Sequence, residues 1–155
     1  RKISYIAKNN PNIECLGIDI YDVVIEFAKQ KHKSPNLSFI NSPLQEISGI
    51  IKNLDYDELI IFSSGSIEYL QPEHLQIFFN EVSKYKKNVH ILIHDTFYKD
   101  RIKNSNKLEF SETSYYNGGM HYTHLYEIYS KNAGLNILEF NINESNNSCY
   151  VYIKK

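Results

Sequence analysis

Asp19 closes the run Glu14-Cys15-Leu16-Gly17-Ile18-Asp19, a short, largely apolar stretch that ends in one carboxylate just ahead of an amphipathic helical pattern. A buried parallel strand reads as a near-continuous apolar run, and in open α/β sheets ligands gather outside the carboxyl ends of such strands. An ionised carboxylate placed there accepts hydrogen bonds and has room for two donors, as a ribose diol requires. The same position suits a helix N-cap, because Tyr21 to Lys31 has a helical pattern and Asp caps well. Local sequence leaves both roles open. His94 and Asp95 end another apolar run in the same manner, and an unperturbed histidine, titrating near ~6.5, can take a proton at cellular pH. His90, Leu92 and His94 share one strand face, which equally fits a part-buried histidine bonded to backbone. His121 and His124 have the spacing of a helical turn and of a metal pair, but no third ligand stands at a diagnostic interval, so no metal is expected.

The elements that must position these residues follow from periodicity. Ile3, Ile6 and Ala7 have helical spacing up to Pro11-Asn12; a strand runs from Ile13 to Asp19; Val24, Phe27 and Ala28 give the next helix its stripe before Ser34-Pro35-Asn36 breaks it. Leu37 to Ile40 is a second short strand, followed by a helix from near Pro43 carrying Leu44, Ile47 and Ile51. Asp57 to Ser63 is the strongest strand pattern, Leu75, Phe78, Phe79 and Val82 mark an amphipathic helix after Pro72, and Asn88 to Asp95 is the next strand. This alternation implies crossover connections and a parallel sheet through Asp95. The period is then lost from Thr96 to Met120, and an irregular segment of that length in a compact domain is usually a lid, a binding loop or an insertion. His121 to Asn132 reads as a helix ended by Ala133-Gly134. Leu135 to Ile142 and Cys149 to Ile153 flank a turn-rich Asn143 to Asn147, so antiparallel pairing is expected only in this terminal hairpin.

With 155 residues, 42% of them hydrophobic and 23% charged, the chain has the make-up of one globular domain with a real core. A net charge of −1 argues against a nucleic-acid surface. The longest aliphatic and aromatic run, Leu59 to Phe62, is far short of a membrane span, and a cytoplasmic protein without a membrane partner is expected. The two cysteines, Cys15 and Cys149, fall inside strands and form no disulfide framework or metal motif.

Three stretches, "CLGIDIYDVVIEFAKQK", "DELIIFSSGSIEYLQPEHLQIFFNEV" and "YEIYSKNAGLNILEF", together with "LSFINSPLQEI", resemble in order and spacing the Rossmann-like class I S-adenosylmethionine-dependent methyltransferases. The resemblance implies an α/β, three-layer sandwich whose mostly parallel sheet ends in an antiparallel hairpin. It implies S-adenosyl-L-methionine as cofactor, with Asp19 on the ribose, Ile20 against the adenine, and Ser63, Ser64 and Gly65 at the reactive end. The family often places an acid near the adenine amino group; Pro43 falls there instead, leaving Asn41, Ser42, Leu44 and backbone groups to recognise the base. The family's first strand and glycine-rich loop have no counterpart in residues 1–155, so a single methyltransferase domain that is incomplete at its N-terminus is expected.

Methyl transfer is a displacement at carbon, so the protein must align an acceptor and, where needed, remove a proton. His94, Asp95 and His121 are the candidate catalytic groups. Glu68, Tyr115, Tyr116, His121 and Tyr122 are candidates for contact with a small-molecule acceptor, residues 96–124 being read as a substrate lid with its hinge at Gly118-Gly119. The Asn-Pro-Pro-Tyr type motif of many amino-methylating enzymes is absent after Ser63, which favours oxygen. Heavy use of Asn, Lys, Ile, Ser and Tyr suggests an AT-rich bacterial gene, with surface-polysaccharide tailoring of a sugar or a small phosphorylated substituent as a natural setting. A non-catalytic scaffold domain of the same fold is the main alternative, and a nicotinamide oxidoreductase a third, against which the terminal hairpin tells.

Overall fold

The computed structural model describes residues 2–97, 112–116 and 119–155. The chain forms two compact units, residues 1–47 and 48–155, and each is described by itself.

The first unit contains α1 (Lys2–Asn9), β1 (Cys15–Asp19), α2 (Asp22–Lys31) and β2 (Leu37–Asn41), then a 3₁₀ turn at Leu44–Glu46. β1 and β2 are parallel, with Gly17 opposite Phe39 and Asp19 opposite Asn41. A Cβ on Gly17 would stand 2.5 Å from Phe39 Cδ1, so any side chain there displaces the ring. Few apolar groups in this unit are buried, Ala7, Cys15 and Ile25 among them, and a polar tie supplements them. The Asn36 amide, 5% exposed, donates to the carbonyls of Ala7, Asn10 and Ile13 at 3.1, 3.0 and 2.8 Å. Ser34 Oγ donates to Asn36 Oδ1 at 2.6 Å. One side chain thereby satisfies carbonyls at the end of α1 and in the turn leading to β1, groups that a helix end leaves without internal partners. A short helix, α3 (Ile47–Ile51), follows.

The second unit is built from β3 (Glu58–Ser64), a 3₁₀ turn at Ile67–Tyr69, α4 (Pro72–Ser83), β4 (Asn88–Thr96), β5 (Glu112–Tyr116), β6 (Gly119–Thr123), α5 (Tyr126–Asn132), β7 (Asn136–Asn143) and β8 (Ser148–Lys154). Its main sheet has the order β3-β4-β8-β7. β3 and β4 are parallel, whereas β4–β8 and β8–β7 are antiparallel. The inward face of the sheet carries Val89, Ile91, Ile93, Val151 and Ile153, which are buried, as are Leu75, Phe78, Phe79 and Val82 of α4 at the spacing the sequence shows. Gln76 of α4 reaches the Tyr129 carbonyl of α5 at 3.2 Å. Gly134, with φ at 72°, ends α5 in the left-handed conformation that glycine adopts without strain. The other face is open: Ile60, Phe62, Leu92 and Tyr150 are all exposed.

The α/β alternation, the parallel pairs and the terminal hairpin agree with the sequence reading, with boundaries shifted by one or two residues. Two expectations are corrected. Antiparallel pairing is not confined to the terminal hairpin, because β8 also pairs antiparallel with β4, and β5 and β6 form a second hairpin, with Ser114 opposite His121 and Tyr116 opposite Gly119. In addition, the helix expected from His121 starts only at Tyr126, so His121 and His124 do not share a helical face. The reason is local: Thr113, Tyr115, Tyr116, Tyr122 and Thr123 favour strands, and Asn117-Gly118 is a strong two-residue hairpin signal. Gly118, half of the expected hinge, lies outside the described residues, as do 98–111 of the expected lid.

Replacing Asn36 by Ala should lower stability by about 1–2 kcal/mol, because it removes at once the amide bonds to the carbonyls of Ala7, Asn10 and Ile13 and the acceptor of Ser34. Denaturant unfolding of Asn36→Ala beside Asn53→Ala, whose amide makes one exposed bond, checks this; equal midpoints would remove the tie from the account.

Candidate functional site

In the first unit the structure gathers Asp19, Ile20, Asn41 and Ser42 at the carboxyl ends of β1 and β2. Asp19 is not the N-cap of α2, which begins at Asp22 after Tyr21; its Oδ1 instead accepts the Tyr21 N–H at 2.9 Å. That bond uses one of roughly four acceptor positions on a carboxylate, so ribose hydroxyls can still be accommodated. Asn41 Nδ2 donates to the carbonyls of Asp19 and Ile20 at 3.1 and 2.8 Å, and Ser42 N–H donates to the Asp19 carbonyl at 3.0 Å. The amide of Asn41 therefore shapes the Asp19 turn. Ile20 is 60% exposed, an apolar surface next to the acid, while Pro43 precedes the turn that Leu44 opens. An acid, an apolar surface and a shaped turn thus stand together at these strand ends.

In the second unit the pleat of β4 separates two neighbours in sequence. His94 lies on the open face between Ser64 of β3 and Tyr150 of β8. Its Nδ1 is 3.3 Å from Ser64 Oγ, and its ring stacks on Tyr150 with centroids 4.2 Å apart and planes 10° off parallel. Asp95 faces inward, 2% exposed. Its Oδ1 accepts the Gly65 N–H at 3.0 Å and its Oδ2 the Tyr126 O–H at 2.5 Å. Gly65 N–H also reaches the His94 carbonyl at 2.9 Å, and Gly65 has φ at 67°, so the turn after β3 needs glycine. Ser63 Oγ accepts the Ile67 N–H at 3.3 Å. Glu68, also buried, accepts the Thr96 N–H through Oε2 at 2.6 Å. His121 is buried edge-on to Tyr69, with centroids 6.4 Å apart, and Tyr122 stacks on His124 at 5.5 Å. Tyr115 and Tyr116 belong to β5, where only the backbone is described. Among the described residues no group of three His, Cys, Asp or Glu is placed to hold a metal.

Sequence reasoning missed Tyr126, and it weighed His124 only as half of a metal pair. Tyr126 is 31 positions from Asp95, and nothing in one sequence pairs them; the only local signal is an aromatic residue at the start of a helix. His124 is wholly buried, and its charged form is disfavoured by burial, which pulls its pKa down to about 4 against the opposing pull of the Ile67 and Leu70 backbone. Burial pushes the Asp95 carboxyl up to about 6, helped by the negative charge of Glu68 and resisted by the Tyr126 hydroxyl and the backbone of Gly65 and Ser66.

These two groups act oppositely on stability. Asp95 holds its proton more tightly folded than unfolded, so its contribution is present at low pH and is lost as pH rises through about 6. His124 binds its proton less tightly when folded, so its contribution is present above its unfolded value and is lost as pH falls towards about 4. Asp95→Asn should unmask the histidine: from about pH 5 to about pH 7 the variant should gain about 1 kcal/mol more stability than the wild type does. Urea unfolding at both pH values checks the slope; parallel curves would contradict a raised Asp95 pKa.

No family model matches the chain, and no curated protein sequence matches it. Solved structures do. An O-methyltransferase candidate from Nostoc punctiforme PCC 73102 superposes with a TM-score of 0.67 at 18% identity, covering 98% of this chain and 47% of its own. A SAM-dependent methyltransferase from Anabaena variabilis ATCC 29413 gives 0.66 at 10% identity, over 99% of this chain and 72% of that one. The magnesium protoporphyrin IX methyltransferase of Synechocystis PCC 6803, with bound S-adenosylhomocysteine, gives 0.56 at 14% identity, over 90% and 63%. The chain thus spans less than half the length of the Nostoc protein. Strand order, terminal hairpin and these superpositions agree: this chain has the fold of the Rossmann-like S-adenosylmethionine-dependent methyltransferases.

Proposed function

We propose that the protein is an enzyme that transfers a methyl group from S-adenosyl-L-methionine to a small-molecule acceptor, on oxygen. The observation that carries this reading is Asp19: in a methyltransferase fold, a half-exposed carboxylate ends β1 beside an exposed isoleucine, with Asn41 and Ser42 holding its turn. The cofactor, when bound, supplies an activated methyl on a sulfonium. Asp19 accepts the ribose hydroxyls, Ile20 and Leu44 give apolar surface to the adenine, and Ser42 and Pro43 line its edge. The resemblance assigns Ser63, Ser64 and Gly65 of the second unit to the cofactor's reactive end, where glycine leaves room.

His94 is the base in this reading. Its ring is oriented by Ser64 and Tyr150 on the open face at the carboxyl end of β4, where it can take a hydroxyl proton as the methyl is transferred. His121, Tyr122 and the β5–β6 hairpin with Tyr115 and Tyr116 form the acceptor side. Oxygen is favoured by the polar Ser63-Ser64-Gly65-Ser66 turn, which lacks the Asn-Pro-Pro-Tyr type motif of many amino-methylating enzymes. A cytoplasmic role in bacterial surface-polysaccharide tailoring, on a sugar or a small phosphorylated substituent, accords with that chemistry. Among the described residues no helix is long and apolar enough to cross a membrane.

Calorimetric titration should show S-adenosylhomocysteine binding, weakened by about 1.5–3 kcal/mol in Asp19→Ala, the range for hydrogen bonds to a charged group. Equal affinities would remove Asp19 from the site. No binding in either protein would leave the scaffold reading.

A further inference from the structure

Two buried carboxylates stitch the turn after β3 to the end of β4 in both directions. Asp95, on β4, accepts an N–H from Gly65 in the turn; Glu68, in the turn, accepts the N–H of Thr96 on β4. Tyr126 closes the arrangement from α5 by donating its hydroxyl to Asp95. Neither acid has an ion-pair partner among the described residues; both are occupied by backbone N–H groups, and Asp95 also by the tyrosine. A buried carboxylate is costly, so a site that retains two of them where this turn meets β4 needs a use for their acceptor capacity.

We propose that Asp95, Glu68 and Tyr126 are positioning residues that lock the Ser63–Ser66 turn from its inward side, so that the ionised Asp95 carboxylate sets the turn's shape without touching cofactor or acceptor. The proposal rests on the reading above that this turn lines the cofactor's reactive end. The chemistry is direct. An ionised carboxylate accepts from Gly65 and Tyr126 together; a protonated one must itself donate, gives up an acceptor position, and sets its O–H against the Tyr126 O–H. The turn then loosens. The groups facing Asp95 are Glu68 from the turn, Tyr126 from α5 and Cys149 opposite it on β8. Burial together with Asp95 raises the proton affinity of Tyr126 well above its ordinary value, and burial followed by Asp95 pushes the Cys149 thiol up to about 12, so both stay neutral as Asp95 titrates.

The test measures S-adenosylhomocysteine affinity by calorimetry across about pH 5.5 to 8, and amide exchange at Gly65 and Ser66 without ligand at one fixed pH, for wild type, Asp95→Asn and Tyr126→Phe. Wild-type affinity should fall several-fold at the acid end. Asp95→Asn should be about tenfold weaker near pH 7.5 and flat with pH, since its side chain does not titrate. Tyr126→Phe removes a bond that favours the ionised form, so its acid limb should begin at higher pH. A merely structural role would lower all values evenly and leave the pH profiles parallel, which overturns the proposal while binding, and with it the methyltransferase reading, stands. If the wild type binds no S-adenosylhomocysteine, that reading fails separately and exchange decides the lock: faster exchange at Gly65 and Ser66 in Asp95→Asn supports it, and unchanged exchange overturns it.

Discussion

Hydrogen bonding of β4 on both sides, to β3 in parallel and β8 antiparallel, is the constraint on which the second unit depends. A strand held on both edges cannot slip by one residue without turning every side chain to the wrong face. Its pleat therefore decides which neighbour in sequence meets which environment. His94 is delivered to the open face beside Ser64 and Tyr150, and Asp95 to the interior beside Tyr126. The histidine consequently lies on the open face, and the aspartate is tied to the turn after β3 and to α5.

Both units use polar side chains as internal ties, but at different expense. In the first, neutral Asn36 satisfies three carbonyls, and removing an amide from water is moderate in cost when every bond is remade. In the second, Asp95 and Glu68 bring formal charge into the interior, where the penalty is several-fold larger and shows as a carboxyl that holds its proton to about pH 6. That penalty is offset by N–H groups that the bend after β3 would otherwise leave bare. The fold thus gives up some stability near neutral pH for a turn of defined shape.

Much of this architecture was legible in the sequence because its signals are local. Leu75, Phe78, Phe79 and Val82 recur at helical spacing, and all four are buried; the Asn-rich stretch before Cys149 marks a turn between strands that do pair. Asp19 was recognisable as a strand-end acid, although its two local roles could be separated only once α2 was seen to begin at Asp22. The β5–β6 hairpin escaped because its Tyr, Thr and Ser residues lack an apolar alternation, so the histidines after it were assigned a helical spacing they do not have. The partnership of Asp95 with Tyr126 was beyond reach for another reason: it depends on α5 packing against a strand end, a tertiary fact without a trace in the spacing of either residue.

The two cysteines fall one to each unit, and both are buried. Only a thiolate attacks an alkylating reagent. Burial raises the Cys15 thiol, with Glu14 adding to the effect, and Cys149, 0% exposed, is pushed up to about 12. Neither is a nucleophile while its strand is in place. Each becomes one when its own strand opens, so labelling rates at Cys15 and Cys149 report how often β1 and β8 leave the folded state.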